Sequence, residues 1–143
     1  MSLNITKLDN ASIIEIIRVM IIDDQEQMRD VLSVLLKKEG IREITQANNA
    51  LEALKTIENS DNPPDVILCD IHMEGMDGLE FCQKVRMSKN PRIKDLRVII
   101  ITGDHDPLLH EISAQVGASA VLRKPVTSDI LKHHIAKAVD LAL

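Results

Sequence analysis

Residues 66–78 read Val66-Ile67-Leu68-Cys69-Asp70-Ile71-His72-Met73-Glu74-Gly75-Met76-Asp77-Gly78. Four apolar residues run unbroken into an acid, and a glycine-rich turn follows. A short, continuous apolar run predicts a strand covered on both faces, as in a parallel sheet. Three other runs have the same form: Val19-Met20-Ile21-Ile22 before Asp23-Asp24, Val98-Ile99-Ile100-Ile101 before Thr102, and Ala120-Val121-Leu122 shortly before Lys124. Ile41 to Ala47 is a weaker, polar-interrupted strand expected nearer a sheet edge.

Helical patterns fall between these runs, which predicts βαβ units and a parallel sheet. Met28, Val31, Leu32, Leu35 and Leu36 recur at helical spacing, with Lys37-Lys38 suiting the C-terminal dipole and Gly40 as the stop. Asp24 with Gln27 three residues on predicts a capping box for that helix. Further helices are expected over 50–57, 78–87, 107–116 and 127–141. In the last, Ile130, Leu131, Ile135, Ala138 and Val139 form the apolar stripe. Five βα units account for residues 16–143. Residues 1–15 are expected to be an N-terminal extension, with a short extra helix around Ala11 to Ile17 as one form. Ile13, Ile14, Ile16 and Ile17 are too apolar for a wholly solvated tail, so some of them are expected to pack.

At 143 residues the chain is one domain's length. Its core must be aliphatic, because Phe81 is the only aromatic residue. That composition argues against stacking on single-stranded nucleic acid, and a net charge of −5 gives no pull toward nucleic acid or anionic membrane. No apolar run approaches a membrane span and no signal peptide is visible, so a cytoplasmic protein is expected. Cys69 and Cys82 lack metal spacing and read as buried thiols in a reducing compartment.

In a parallel α/β sheet the carboxyl ends of the strands converge on one crevice. Asp23, Asp24, Asp70, Thr102 and Lys124 would meet there. Three clustered carboxylates repel one another unless a cation neutralises them, and magnesium takes hard oxygen ligands. A hydroxyl and an ammonium beside them suit a phosphoryl group. The set reads as a magnesium-dependent phosphoryl-transfer site built around a carboxylate nucleophile. Taken singly, each residue has an ordinary explanation: helix cap, strand-end acid, β-branched strand terminus, surface lysine. The combination is specific.

The order Asp-Asp, Asp, Thr, Lys-Pro, each at a strand end, resembles the receiver domain of two-component response regulators in its single-domain, CheY-like form. The resemblance covers about residues 16–142. It implies a flavodoxin-like, doubly wound five-stranded parallel sheet in the order 2-1-3-4-5 with five helices. It implies that Asp70 is the phosphoacceptor and that Asp23, Asp24, Asp70 and the backbone carbonyl of His72 hold Mg2+. Thr102 corresponds to the switch hydroxyl, and Lys124 to the lysine that contacts the phosphoryl group, with a cis Lys124-Pro125 bond. The implied donor is a histidine kinase or a histidine phosphotransfer protein, and the implied result is a switched partner-binding surface. The implied protein is not an enzyme beyond its own phosphorylation and dephosphorylation. With no output domain before Leu143, the expected output is binding to a partner or onward transfer of the phosphoryl group; a receiver cut from a longer protein is the alternative.

Three positions depart from the resembled pattern. Val121 stands where Tyr or Phe is usual, Glu74 where Pro is usual, and Gly103 where Ala is usual. The first predicts a different exit for the signal, through the Gly103 to Pro107 loop. Among the histidines, Asp104-His105-Asp106 is expected to cap the fourth of the five helices rather than bind a transition metal. Adjacent His133 and His134 diverge on a helix and make a poor metal pair. His110 is expected on a solvated helix face, and His72 beside the phosphoryl site. An aspartyl-phosphate hydrolase of the haloacid-dehalogenase type would need an acid where His72 stands. A phosphorylation-independent scaffold would not need the full acid, Thr and Lys set.

Overall fold

The alternation of side chains along a strand divides each apolar run between two layers. In the computed structural model, which describes residues 9–141, Met20, Ile22, Ile67, Cys69, Val98 and Ile100 face one helical layer. Val19, Ile21, Val66, Leu68, Ile99 and Ile101 face the other. Both faces are buried, so the runs need no polar alternation.

The strands are β1 (Arg18–Ile22), β2 (Glu43–Ala47), β3 (Val66–Asp70), β4 (Arg97–Thr102) and β5 (Ala120–Arg123). They pair in parallel in the order β2-β1-β3-β4-β5. This is the expected flavodoxin-like arrangement, with polar β2 at an edge. The helices are α1 (Asn10–Ile16), α2 (Glu26–Lys38), α3 (Ala50–Glu58), α4 (Gly78–Arg86), α5 (Pro91–Lys94), α6 (Pro107–Gln115) and α7 (Ser128–Ala138). Leu32 and Leu36 of α2 and Leu131 and Ile135 of α7 cover one face. Ala53 and Ile57 of α3 with Phe81, Cys82 and Val85 of α4 cover the other.

Among the described residues seven helices form where five were expected. The short α1 lies where the extra N-terminal helix was expected, capped by the Asp9 carboxylate on the Ser12 N–H. Ile14 and Ile17 are buried while Ile16 is half exposed. The second addition, α5, is one turn with Asn90 as N-cap and Pro91 in its first turn, an Asn-Pro start that favours helix entry.

The capping box at Asp24 and Gln27 does not form. Gln25 occupies the N-cap of α2 and its side chain makes no cap bond; the Asp23 Oδ1 instead accepts from the Gln25 N–H at 2.9 Å. The acids turn toward the strand ends, not along the helix. Val31 and Ile130 point outward, 52% and 42% exposed. Helix α2 is capped at Gly40, which sits at φ +92°, with the Ile41 N–H returning to the Leu36 carbonyl. Helix α7 stops at Ala138, short of Leu141, because Asp140 takes a positive φ and the Leu141 N–H closes on the Ala136 carbonyl.

Candidate functional site

Strand β1 ends at Ile22 beside Cys69 of β3, and Asp70 pairs with Ile101 of β4. Thr102 pairs with Arg123 of β5, and the Lys124 N–H donates to the Thr102 carbonyl at 2.8 Å. This register brings the strand ends together. One carboxylate oxygen from each of Asp23, Asp24 and Asp70 lies within 4.8 Å of the others. The Lys124 Nζ stands 3.3 Å from Asp70 Oδ1 and 3.7 Å from Asp23 Oδ2. The Lys124-Pro125 peptide is cis, as expected.

The three acids are held differently. Asp23 is buried, with its backbone carbonyl accepting from Arg29 Nη1 at 2.7 Å; Arg29 Nε also donates to Gln46 Oε1. Asp24 is exposed, and its Oδ2 accepts from the Glu74 N–H at 3.3 Å. Asp70 sits between burial and the lysine. Desolvation raises its pKa most, the Lys124 ammonium opposes that, and the Asp23 charge raises it further. Three carboxylates facing one ammonium leave an excess negative charge that a hard divalent cation would balance. The oxygen donors therefore suit such a cation.

The turn after β3 packs tightly against the acid. A Cβ on Gly78 would lie 2.3 Å from the Asp70 carbonyl oxygen, so only glycine lets α4 start there. Asp77 caps that helix through the Glu80 N–H. On the opposite side, fully buried Thr102 accepts the Asp104 N–H on Oγ1 at 3.0 Å. Asp104 Oδ2 meets His72 Nε2 at 3.2 Å, which joins the loops after β3 and β4 across the crevice. The Asp106 N–H holds the Asp104 carboxyl below its ordinary pKa, with His72 adding to the effect.

The structure thus brings Asp23, Asp24, Asp70, Thr102 and Lys124 together, with His72 at the rim. As expected, Asp106 caps α6 through the Leu108 N–H, and Cys69 and Cys82 are buried and unpaired with one another. His110 is not simply solvated: half-buried, its Nε2 accepts from Arg123 Nε at 3.4 Å. Arg29, the contacts of Asp104 with Thr102 and His72, and the Glu74 amide were not singled out from the sequence. These interactions run through backbone atoms or between loops, which residue spacing does not report. Among the described residues no helix is long and apolar enough to cross a membrane.

The family model for the response regulator receiver domain matches residues 19–136. This chain belongs to that family. As a receiver domain it is a phosphoacceptor signalling module of two-component systems. It is 38% identical over 121 residues to a probable chemotaxis protein CheY of Rhizobium etli, covering 85% of this chain and 91% of that one. It is 31% identical over 119 residues to the CAI-1 autoinducer sensor kinase/phosphatase CqsS of Vibrio cholerae, covering 83% of this chain and only 17% of the kinase. A response regulator receiver domain protein of Clostridium thermocellum superposes with a TM-score of 0.78 at 26% identity, covering 87% of this chain and 95% of that one. Receiver domains therefore occur among its relatives both as nearly whole proteins and as parts of kinases.

Proposed function

We propose that Asp70 is the phosphoacceptor, that Mg2+ is the cofactor, and that a histidine kinase or histidine phosphotransfer protein is the donor. The observation that carries the reading is the Asp70 carboxylate at a strand end, paired with Lys124 and clustered with Asp23 and Asp24. Asp23, Asp24, Asp70 and the backbone carbonyl of His72 would hold the cation. When bound, it neutralises the acids and the charge on the incoming phosphoryl oxygens.

An Asp70 carboxylate oxygen attacks phosphorus on the donor imidazole. The new O–P bond forms as the P–N bond breaks, and the electron pair leaves with the imidazole nitrogen, which takes a proton. Lys124 pairs with a phosphoryl oxygen as the Asp70 charge is converted to an acyl phosphate. The Thr102 hydroxyl donates to another phosphoryl oxygen. Hydrolysis later returns Asp70 and inorganic phosphate. The chain acts on itself and turns over no separate substrate. The receiver unit is residues 16–143, with 1–15 as an N-terminal extension, and the setting is the cytoplasm. Phosphorylation biases a partner-binding surface between two states.

Intact-protein mass after incubation with acetyl phosphate and magnesium tests this. One phosphoryl group is expected on the wild type, and none with EDTA or in Asp70→Asn. Equal labelling of that variant would remove Asp70 from its role. Steady turnover of a chromogenic phosphate ester would instead indicate a phosphohydrolase.

A further inference from the structure

The three acids of the cluster are not equally fixed. Burial immobilises Asp23, and Lys124 holds both Asp23 and Asp70. Asp24 is exposed, and what orients its carboxylate is the backbone N–H of Glu74, 3.3 Å from Oδ2. That donor belongs to the turn after β3, fifty residues away in sequence. A carboxylate that gives one oxygen to a magnesium ion leaves its second oxygen free, and hydrogen bonds to that second oxygen set the ligand's orientation. Only a residue with an N–H can supply the bond here. Proline cannot, and proline is what the resembled pattern carries at this position.

We propose that Glu74 is a positioning residue for the cation site, acting through its main-chain amide rather than its carboxylate. Its N–H holds Asp24 Oδ2 so that Oδ1 is presented to the ion, and thereby ties the turn at Glu74 and Gly75 to cation occupancy. The inference rests on the reading of Asp23, Asp24 and Asp70 as the magnesium site. It assigns a role to a departure from the family pattern that the phosphoryl chemistry itself leaves unused.

The test compares Glu74→Ala, which keeps the amide, with Glu74→Pro, which removes it. Magnesium chloride is titrated into the 15N-labelled full chain and the Kd is read from amide shifts. Both variants lose the same side-chain charge; proline also fixes its own φ and restricts Met73, so the same pair compared in an Asp24→Ala background isolates the N–H bond. Glu74→Pro should bind magnesium about tenfold more weakly than Glu74→Ala, the lower end of what loss of a hydrogen bond behind a ligand costs. In an Asp24→Ala background the two should bind alike. Equal affinities of the two variants, with Asp24→Ala still weakening binding, would overturn the inference and leave the cation site standing. No effect of Asp24→Ala on magnesium binding would instead overturn the site reading itself. Should Glu74→Pro disturb the fold, as melting of the metal-free proteins would reveal, exchange of the Glu74 amide decides. It should be protected in the wild type, more so with magnesium, and lose that protection in Asp24→Ala. An unprotected Glu74 amide in the wild type would contradict the proposal.

Discussion

Asp23, Asp24 and Asp70 meet one lysine, and that imbalance governs what single substitutions do. Without a cation, removing one of three mutually repelling carboxylates relieves repulsion. Asp24→Ala should therefore leave the metal-free protein no less stable, since Asp24 does not cap α2 and its bond from the exposed Glu74 N–H, 3.3 Å long, is one that water replaces. Asp23→Ala gives up the bond to the Gln25 N–H, and there relief and loss should roughly offset. Saturating magnesium should stabilise the wild type, by about 2.7 kcal/mol at a hundredfold excess over Kd, and stabilise both variants clearly less. Urea melts followed by circular dichroism check this, since the chain has no Trp; equal stabilisation of wild type and variants would contradict it. At this scale the site was legible where a chemical group ends an apolar run. Asp70, Thr102 and Lys124 are such groups. Arg29 was not legible, because it works by bonding the Asp23 carbonyl from inside a helix, and helical spacing marks it only as a polar residue.

Elements were legible where apolar periodicity is strong and obscure where one side chain organises several turns. Arg86, near the end of α4, donates to the carbonyls of Lys94, Leu96 and Gly117. It thereby joins α4 to the turns that precede β4 and β5. Gly117 lies at φ +92°, and a Cβ there would come within 2.8 Å of Arg86 Nε. Arg86→Ala should cost about 2 kcal/mol in urea melts, since it strips partners from several carbonyls. Arg86→Lys should recover little, because a point charge cannot replace the planar fork; full recovery by lysine would contradict this account. On α7, burial first, then His133 and Lys137, hold the His134 pKa below its ordinary 6.5. As pH falls past 6.5 the unfolded chain takes up a proton before the folded one, so stability declines down to the lowered folded value and levels off below it. His134→Gln should flatten that part of the stability–pH curve. An unchanged slope would show that the histidine does not contribute. Helix α5 and the outward Val31 escaped the sequence reading for different reasons. A four-residue helix has no periodicity to detect, and an apolar residue at helical spacing does not reveal which side of the stripe it borders.

For the whole molecule, a parallel sheet followed from the runs and its strand order from the family they resemble, whereas the link between crevice and surface lies in contacts between loops. The Thr102 hydroxyl accepts the Asp104 N–H, and Asp104 in turn bonds His72 and the Asp106 N–H at the start of α6. If Thr102 turns its hydroxyl toward a phosphoryl group on Asp70, this arrangement must change. Val121, half-buried against the core as Leu109 and Val116 are, has no ring to exchange between inside and outside. Its χ1 is stiff. Beryllofluoride with magnesium should therefore shift the amides of Gly103 to Asp106 and the start of α6 more than those of Val121 and α7. Shifts centred on Val121 and α7, with a quiet Gly103 to Asp106 segment, would contradict this route. All of it depends on where the phosphoryl group resides. The direct measurement is borohydride reduction of the chain after acetyl phosphate and magnesium, followed by peptide mass mapping. An acyl phosphate is reduced to the alcohol, so residue 70 should be read as homoserine; a mark at Asp23 or Asp24, or at no aspartate, would contradict the account.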